Sequence, residues 1–241
     1  MKKLVSSLLA ALALIGATTA QAQEPKVIDY LPYTISASGP YVLNTSLSSS
    51  QASGNLITVA VSNVSIDLQG NFISGPVGNT AQTTNGIYGR EVNNVTVKNG
   101  TVANVRNGIN LIGNGSATTN NLNHELDHLR ITHCNYSGIS LLYAASATVT
   151  NCKISSIGIS GNTGTSIAIN IFGKGVTVQN CAISQGLGSY SYGISSEAGS
   201  FARQNTISGF TYGVYGGTYQ DNLTYGCTTA FSGGVDAGGN K

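Results

Sequence analysis

The sequence predicts an all-β protein wound as a parallel β-helix, a solenoid of about seven to eight coils, and three observations predict it. Short runs alternate apolar and polar residues at period two, as in "VTVKNGTV" from Val95. Nearly the same phrase returns as "VTNCKI" from Val149 and "VTVQNCAI" from Val176. A small residue followed by an apolar one opens a further run at Ile87, Ile109, Ile139, Ile167, Ile194, Val214 and Phe231. Three short strands per repeat, joined by loops of variable length, describe coil stacked upon coil. The 31 glycines and the abundant Val, Ile and Thr oppose helices. A β-sandwich also has many short strands, but it does not require the same side chain at the same place in successive repeats. Parallel stacking does, because like sits above like at about 4.8 Å.

The elements follow in chain order. "MKK", the apolar "LVSSLLAALALIGA" and the small-residue "AQA" make residues 1–22 a secretory signal peptide cleaved after Ala22. Export follows, to the periplasm or beyond the cell. No later segment approaches the roughly 20 apolar residues of a transmembrane helix, so no membrane partner is expected. Residues 23–55, with "DYLPYTISASGPYVLNTSL", form an N-terminal cap and first turn over the open end of the core. Residues 56–241 form the β-helix.

Within the coils, Asn99, His133, Asn151, Asn180, Gln204 and Asn222 are expected in one column, at the bend between the second and third strands. Asn tolerates the left-handed backbone of a tight bend, and stacked amides can donate and accept along the column. Cys134, Cys152 and Cys181 each follow a bend residue and are expected in an inward column. In-register side chains point the same way, which suits disulfide geometry poorly, so these are read as buried free thiols. Cys227 matches Phe210 and belongs to the core.

Composition narrows the partners. Eleven Lys and Arg face nine Asp and Glu, and loss of Lys2 and Lys3 with the leader leaves nine of each. Charged residues are 8% of the chain, against about 25% in ordinary domains. No basic excess invites nucleic acid. With 41% hydrophobic residues and balanced charge, the chain can bury a core.

The phrases "SNVSIDLQGNFISG", "NNVTVKNGTVANVRNGINL" and "SGGVDAGGN" resemble secreted right-handed parallel β-helix proteins of the pectin-lyase-like superfamily. The resemblance implies right-handed winding, an Asn corner after the second strand and a carbohydrate groove on the outer face of the first-sheet strands. It does not choose an activity, because that fold hosts lyases, hydrolases, adhesins and non-catalytic proteins.

Side chains one and three residues after each inward Ile or Val then face the groove. The first column reads Tyr88, Asn110, Ser140, Ala168, Ser195, Tyr215 and Ser232; the second reads Arg90, Ile112, Leu142, Asn170, Glu197 and Gly217. Aromatic faces take sugar C–H groups, and amides and hydroxyls take sugar hydroxyls. Tyr88, Asn110, Tyr143, Asn170, Glu197 and Tyr215 are therefore the expected binding residues, and an extended polysaccharide the expected partner. A glycoside hydrolase needs two nearby carboxyls, and this face offers Glu197 alone. A uronate lyase needs a cation for the carboxylate and a base. Arg90 suits the first role, and His124 and Glu125, on the loop "GNGSATTNNLNHELD", suit the second. No acidic cluster supports calcium, and no cofactor is expected.

"HELDH" matches a zinc-protease motif, but in an extended segment its two His lie about 13 Å apart and cannot share a metal. Asp67 and Lys98 are expected to form a surface ion pair. The row Ser65, Thr96, Thr148 and Thr177 is too broken, at Arg130, for a flat ice-binding array. The sequence thus points to an exported β-helix protein engaging polysaccharide along its first sheet, with β-elimination on uronate polymers as the candidate chemistry. The alternative, from another class, is a non-catalytic surface, matrix or adhesin-like solenoid.

Overall fold

Left-handed backbone positions cut the chain into straight runs. Asn63, Asn94, Asn123 and Ser146 precede second-sheet strands; Asn99, His128, Asn151, Asn180, Gln204 and Asp221 follow them; Asn104, His133, Ser156 and Gln185 end third-sheet strands, all at φ between 45° and 60°. Asn is the non-glycine residue that takes this conformation most readily, which explains its frequency at the bends. The computed structural model describes residues 23–78, 82–115, 123–158 and 164–241. The predicted signal peptide and the middle of the loop after Gly113 lie outside the described residues.

Between the bends, strands stack in parallel register into three sheets. The first runs through Tyr33–Ile35, Asn55–Val59 and Asn85–Arg90 to Thr229–Ser232. The second starts at Lys26–Val27 and Gly39–Val42 and ends at Val235–Asp236. The third runs from Leu47–Ser48 to Leu223–Tyr225. Val95–Ile112 and Glu125–Ala145 bend through all three sheets without interruption. Stacked register already begins at Lys26, so residues 26–48 make a first rung. Among the described residues no helix is long and apolar enough to cross a membrane.

The core fills with columns of Ile and Val. Ile57, Ile87, Ile109, Ile139, Ile169, Ile194 and Val214 stack on the first sheet, and Ile73, Val102, Ile131, Ile154, Ile183 and Ile207 face them from the third. All but Ile183, at 1%, are wholly buried, each contributing about 2 kcal/mol by leaving water. From Ile87 onward the small residue before each inward Ile or Val lets the first sheet approach the third. A Cβ on Gly108 would lie 2.5 Å from the Gly138 carbonyl oxygen and 2.6 Å from Ile131 Cγ2.

Several expected positions move. Ile169, not Ile167, pairs with Ile139 and Ile194, so Ala168 is the small buried residue and Asn170 faces outward beside Ser140 and Ser195. His128, not His133, shares the bend column with Asn99 and Asn151; His133 ends a third-sheet strand. Each coil has more than one left-handed bend followed by an inward residue, so "HC" mimics "NC" at the wrong bend. Asp221 takes the bend place expected for Asn222. The interruption in the Ser65–Thr96–Thr148–Thr177 row is Glu125, while Arg130 lies on the third sheet between Thr101 and Lys153. Lys98 Nζ and Asp67 Oδ2 are 3.8 Å apart on the surface.

Cys152 and Cys181 stack as expected, each following its bend Asn, but Cys134 pairs with Val105 and Ile157 in another column. All four cysteines are free, and only Cys227 is not fully buried. Burial pushes the Cys134 thiol up to about 12. The hydrogen bond to Cys181, then burial, pushes Cys152 up. Thiol titration should therefore find Cys227 reacting first in the native protein, and four thiols after unfolding. Two thiols after unfolding would mean that Cys152 and Cys181 are joined.

Candidate functional site

The outer face of the first sheet carries two columns, both covered at the rung of Ser137 and Ser140. The pairing skips the residue before the inward Ile or Val, a small one from Gly86 onward, which changes side-chain parity there, so the residue two before the inward one lies on the outer side, covered only at Ser137 and Ile167. That column reads Asn55, Asn85, Asn107, Ser137, Ile167, Tyr192, Tyr212 and Thr229. Beside it run Thr58, Tyr88, Asn110, Ser140, Asn170, Ser195, Tyr215 and Ser232.

The face divides into an amide half and an aromatic half. Asn85 Nδ2 donates to Asn55 Oδ1 and Asn107 Nδ2 to Asn85 Oδ1, both at 2.8 Å. Asn107 Oδ1 and Asn110 Oδ1 are enclosed without a donor, so they are acceptors in want of a partner. In the other half, Tyr192 and Tyr212 stack at 5.0 Å, and Tyr215 meets both edge-on at 5.5 and 5.9 Å. Burial, then the neighbouring phenols, raise the Tyr192 pKa, so its hydroxyl stays a neutral donor. Tyr190 and Tyr215 are 58% and 43% exposed and supply open ring area.

Among the expected binding residues, Tyr88, Asn110, Asn170 and Tyr215 share the second of these columns. Tyr143 lies at the end of its strand, edge-on to Phe172 at 4.9 Å. Glu197 sits half-buried in the turn after Tyr190–Ser195. Tyr190, Tyr192 and Tyr212 are not among the residues expected from sequence; the signal is the Tyr two places before the inward Ile194 and Val214.

The three residues expected to act in catalysis are not brought together. Arg90 is exposed and paired with Glu91 at 3.6 Å. His124, expected as a groove base, is instead a buried residue, 2% exposed. Its Nδ1 accepts the Val95 N–H at 3.3 Å and Nε2 has no partner. Burial holds its pKa at about 4. Glu125 lies exposed on the second sheet, between Thr96 and Thr148, because the bend at Asn123 starts the strand just after His124. Among the described residues no three of His, Cys, Asp or Glu cluster to hold a metal.

The pattern of the family described as the right handed beta helix region matches residues 85–215, more than half of the chain. The chain belongs to this right-handed β-helix family. Among solved structures, a double mutant of the tailspike protein of E. coli bacteriophage HK620 is similar to this β-helix protein at a TM-score of 0.62 and 14% identity. The likeness covers 88% of this chain and 40% of the tailspike chain, and at that identity it speaks for the fold. No curated protein matches the β-helix chain in sequence.

Proposed function

We propose that this β-helix protein is exported and binds an extended polysaccharide along the outer face of its first sheet, as the pectin-lyase-like resemblance implies. The observation that supports it most is the outer face on which stacked tyrosine rings and a ladder of asparagine amides share the columns of one sheet. A linear glycan lying along the axis meets repeated ring and amide groups at the rung spacing of about 4.8 Å. Binding without bond cleavage suits the geometry better than β-elimination, because neither His124 nor Glu125 faces Arg90.

Glycan arrays followed by calorimetry on the mature protein test this. Tyr215→Ala with Tyr190→Ala should weaken the best glycan by about thirtyfold, since each of the two ring contacts contributes about 1 kcal/mol. Unchanged affinity in that double variant and in Asn110→Ala would remove the first-sheet site. A panel of uronate polymers, followed by the ultraviolet absorbance of unsaturated ends, should stay flat; a rising trace would restore the lyase.

A further inference from the structure

The third sheet carries a feature that the first-sheet site does not use. Its outward column places Phe72, Thr101, Arg130 and Lys153 on successive rungs. Arg130 and Lys153 are therefore neighbours at about 4.8 Å between backbones, and both are exposed. Two cations so placed repel each other unless an anion lies between them. None is supplied among the described residues. Among the described residues the ion pairs are Arg90–Glu91, Lys98–Asp67 and His128–Asp127, and neither Arg130 nor Lys153 joins one.

The nearest carboxylates are already engaged. Asp67 accepts from Asn99 Nδ2 at 3.2 Å and faces Lys98. Asp127 accepts from Thr150 Oγ1 at 2.7 Å, from Asn151 Nδ2 at 2.9 Å and from His128 Nδ1 at 2.6 Å. Burial works to raise the Asp127 pKa, but those hydrogen bonds outweigh it and hold the carboxyl below the usual range. Asp127 thus stays anionic and fixes the His128 ring by Nδ1, leaving Nε2 for a ligand.

Two shallow depressions meet at Arg130. One, of about 390 Å³, is lined by Asn99, His128, Arg130, Asn151 and Lys153 among others; the other, of about 350 Å³, by Phe72, Asn104, Arg130 and Thr132 among others. Phe72, 42% exposed, lies two rungs from Arg130, about 10 Å along the axis.

We propose that this trough is a second binding site, for an acidic polysaccharide whose oxyanion seats between Arg130 and Lys153 while a neighbouring sugar ring covers Phe72. Guanidinium and ammonium donors take the anion through charge-assisted hydrogen bonds. The Asp127-oriented His128 and the amides of Asn99 and Asn151 take its flanking hydroxyls. Charge complementarity singles out this ligand, since the trough offers paired free cations on a chain with few others. Phe72 favours a sugar over a simple ion.

The test is calorimetry on the mature protein with a carboxylated polymer (polygalacturonate), a sulfated one (dextran sulfate), neutral dextran and single-stranded DNA. One or both acidic polysaccharides should bind, with neutral dextran silent, and which of the two binds names the oxyanion. Arg130→Gln and Lys153→Gln should each weaken that binding on the order of tenfold, with Phe72→Ala weaker still in effect and the unfolding midpoints unchanged. Tyr190→Ala with Tyr215→Ala should leave it intact, which separates this site from the first-sheet one. Equal affinity in Arg130→Gln with Lys153→Gln, silence toward both acidic polysaccharides, or tighter binding of DNA than of either would overturn the proposal.

Discussion

Asn205→Ala is expected to destabilise the protein on the order of 4 kcal/mol, whereas Asn180→Gly should change stability by only a few tenths. Both Asn residues lie at the bend between the second and third sheets, on successive rungs and one place apart in register. Asn180 is exposed at φ 55°, and glycine takes that backbone without strain. Asn205 points inward at 1% exposure. Its Oδ1 accepts the Cys181 N–H at 3.0 Å, and its Nδ2 donates to the Val178 carbonyl at 3.0 Å and to Asn222 Oδ1 at 2.9 Å. Asn222 repeats the pattern one rung on, with Ala202 and Asn240 as partners. Alanine at 205 orphans a buried backbone donor and a buried acceptor, each costing about 1–3 kcal/mol. The last rungs have thinner apolar filling, with Ala230 and Phe231 only half-buried, so the amide ladder carries more of their cohesion. Urea unfolding of the two variants decides it. Similar midpoints would show that the inner ladder contributes no more than the outer bend.

That contrast also marks what the sequence could convey. The repeated "VTxxN" phrase identified stacked coils because period-two alternation and a recurring bend residue are local. Phase was harder to read. "SIAINIF" has apolar residues at 167, 169 and 171, so alternation alone cannot say which faces inward. The deciding fact is the approach of the first and third sheets, which needs a small residue at 168. The same approach shifts parity before each inward Ile, which is why Tyr192 and Tyr212 escaped notice while Tyr88, Asn110 and Tyr215 did not. His124 misled for a related reason: a polar residue beside a loop looks exposed until the bend at Asn123 is known to end the loop. Arg130 beside Lys153 was invisible because the two are 23 residues apart, and coil lengths vary.

Acid should unfold this protein through His124, with stability falling by on the order of 3 kcal/mol between pH 6.5 and about pH 4. Burial at 2% exposure penalises the imidazolium, so the folded state refuses a proton that the unfolded chain accepts near pH 6.5. Above that pH both states are neutral and the stability is complete. As pH falls below it, the unfolded state gains a proton that the folded state takes up only near pH 4, and the stability is lost over that window. The orphaned Nε2 gives the proton no acceptor to meet. Asp127, held low by its hydrogen bonds, adds its own loss only at lower pH. His124→Asn keeps an acceptor near the Val95 N–H and cannot titrate. Urea midpoints measured from pH 7.5 down to pH 4 should slope for the native sequence and stay nearly level for the variant. Parallel slopes in the two proteins would show that the buried imidazole is not the acid-sensitive group.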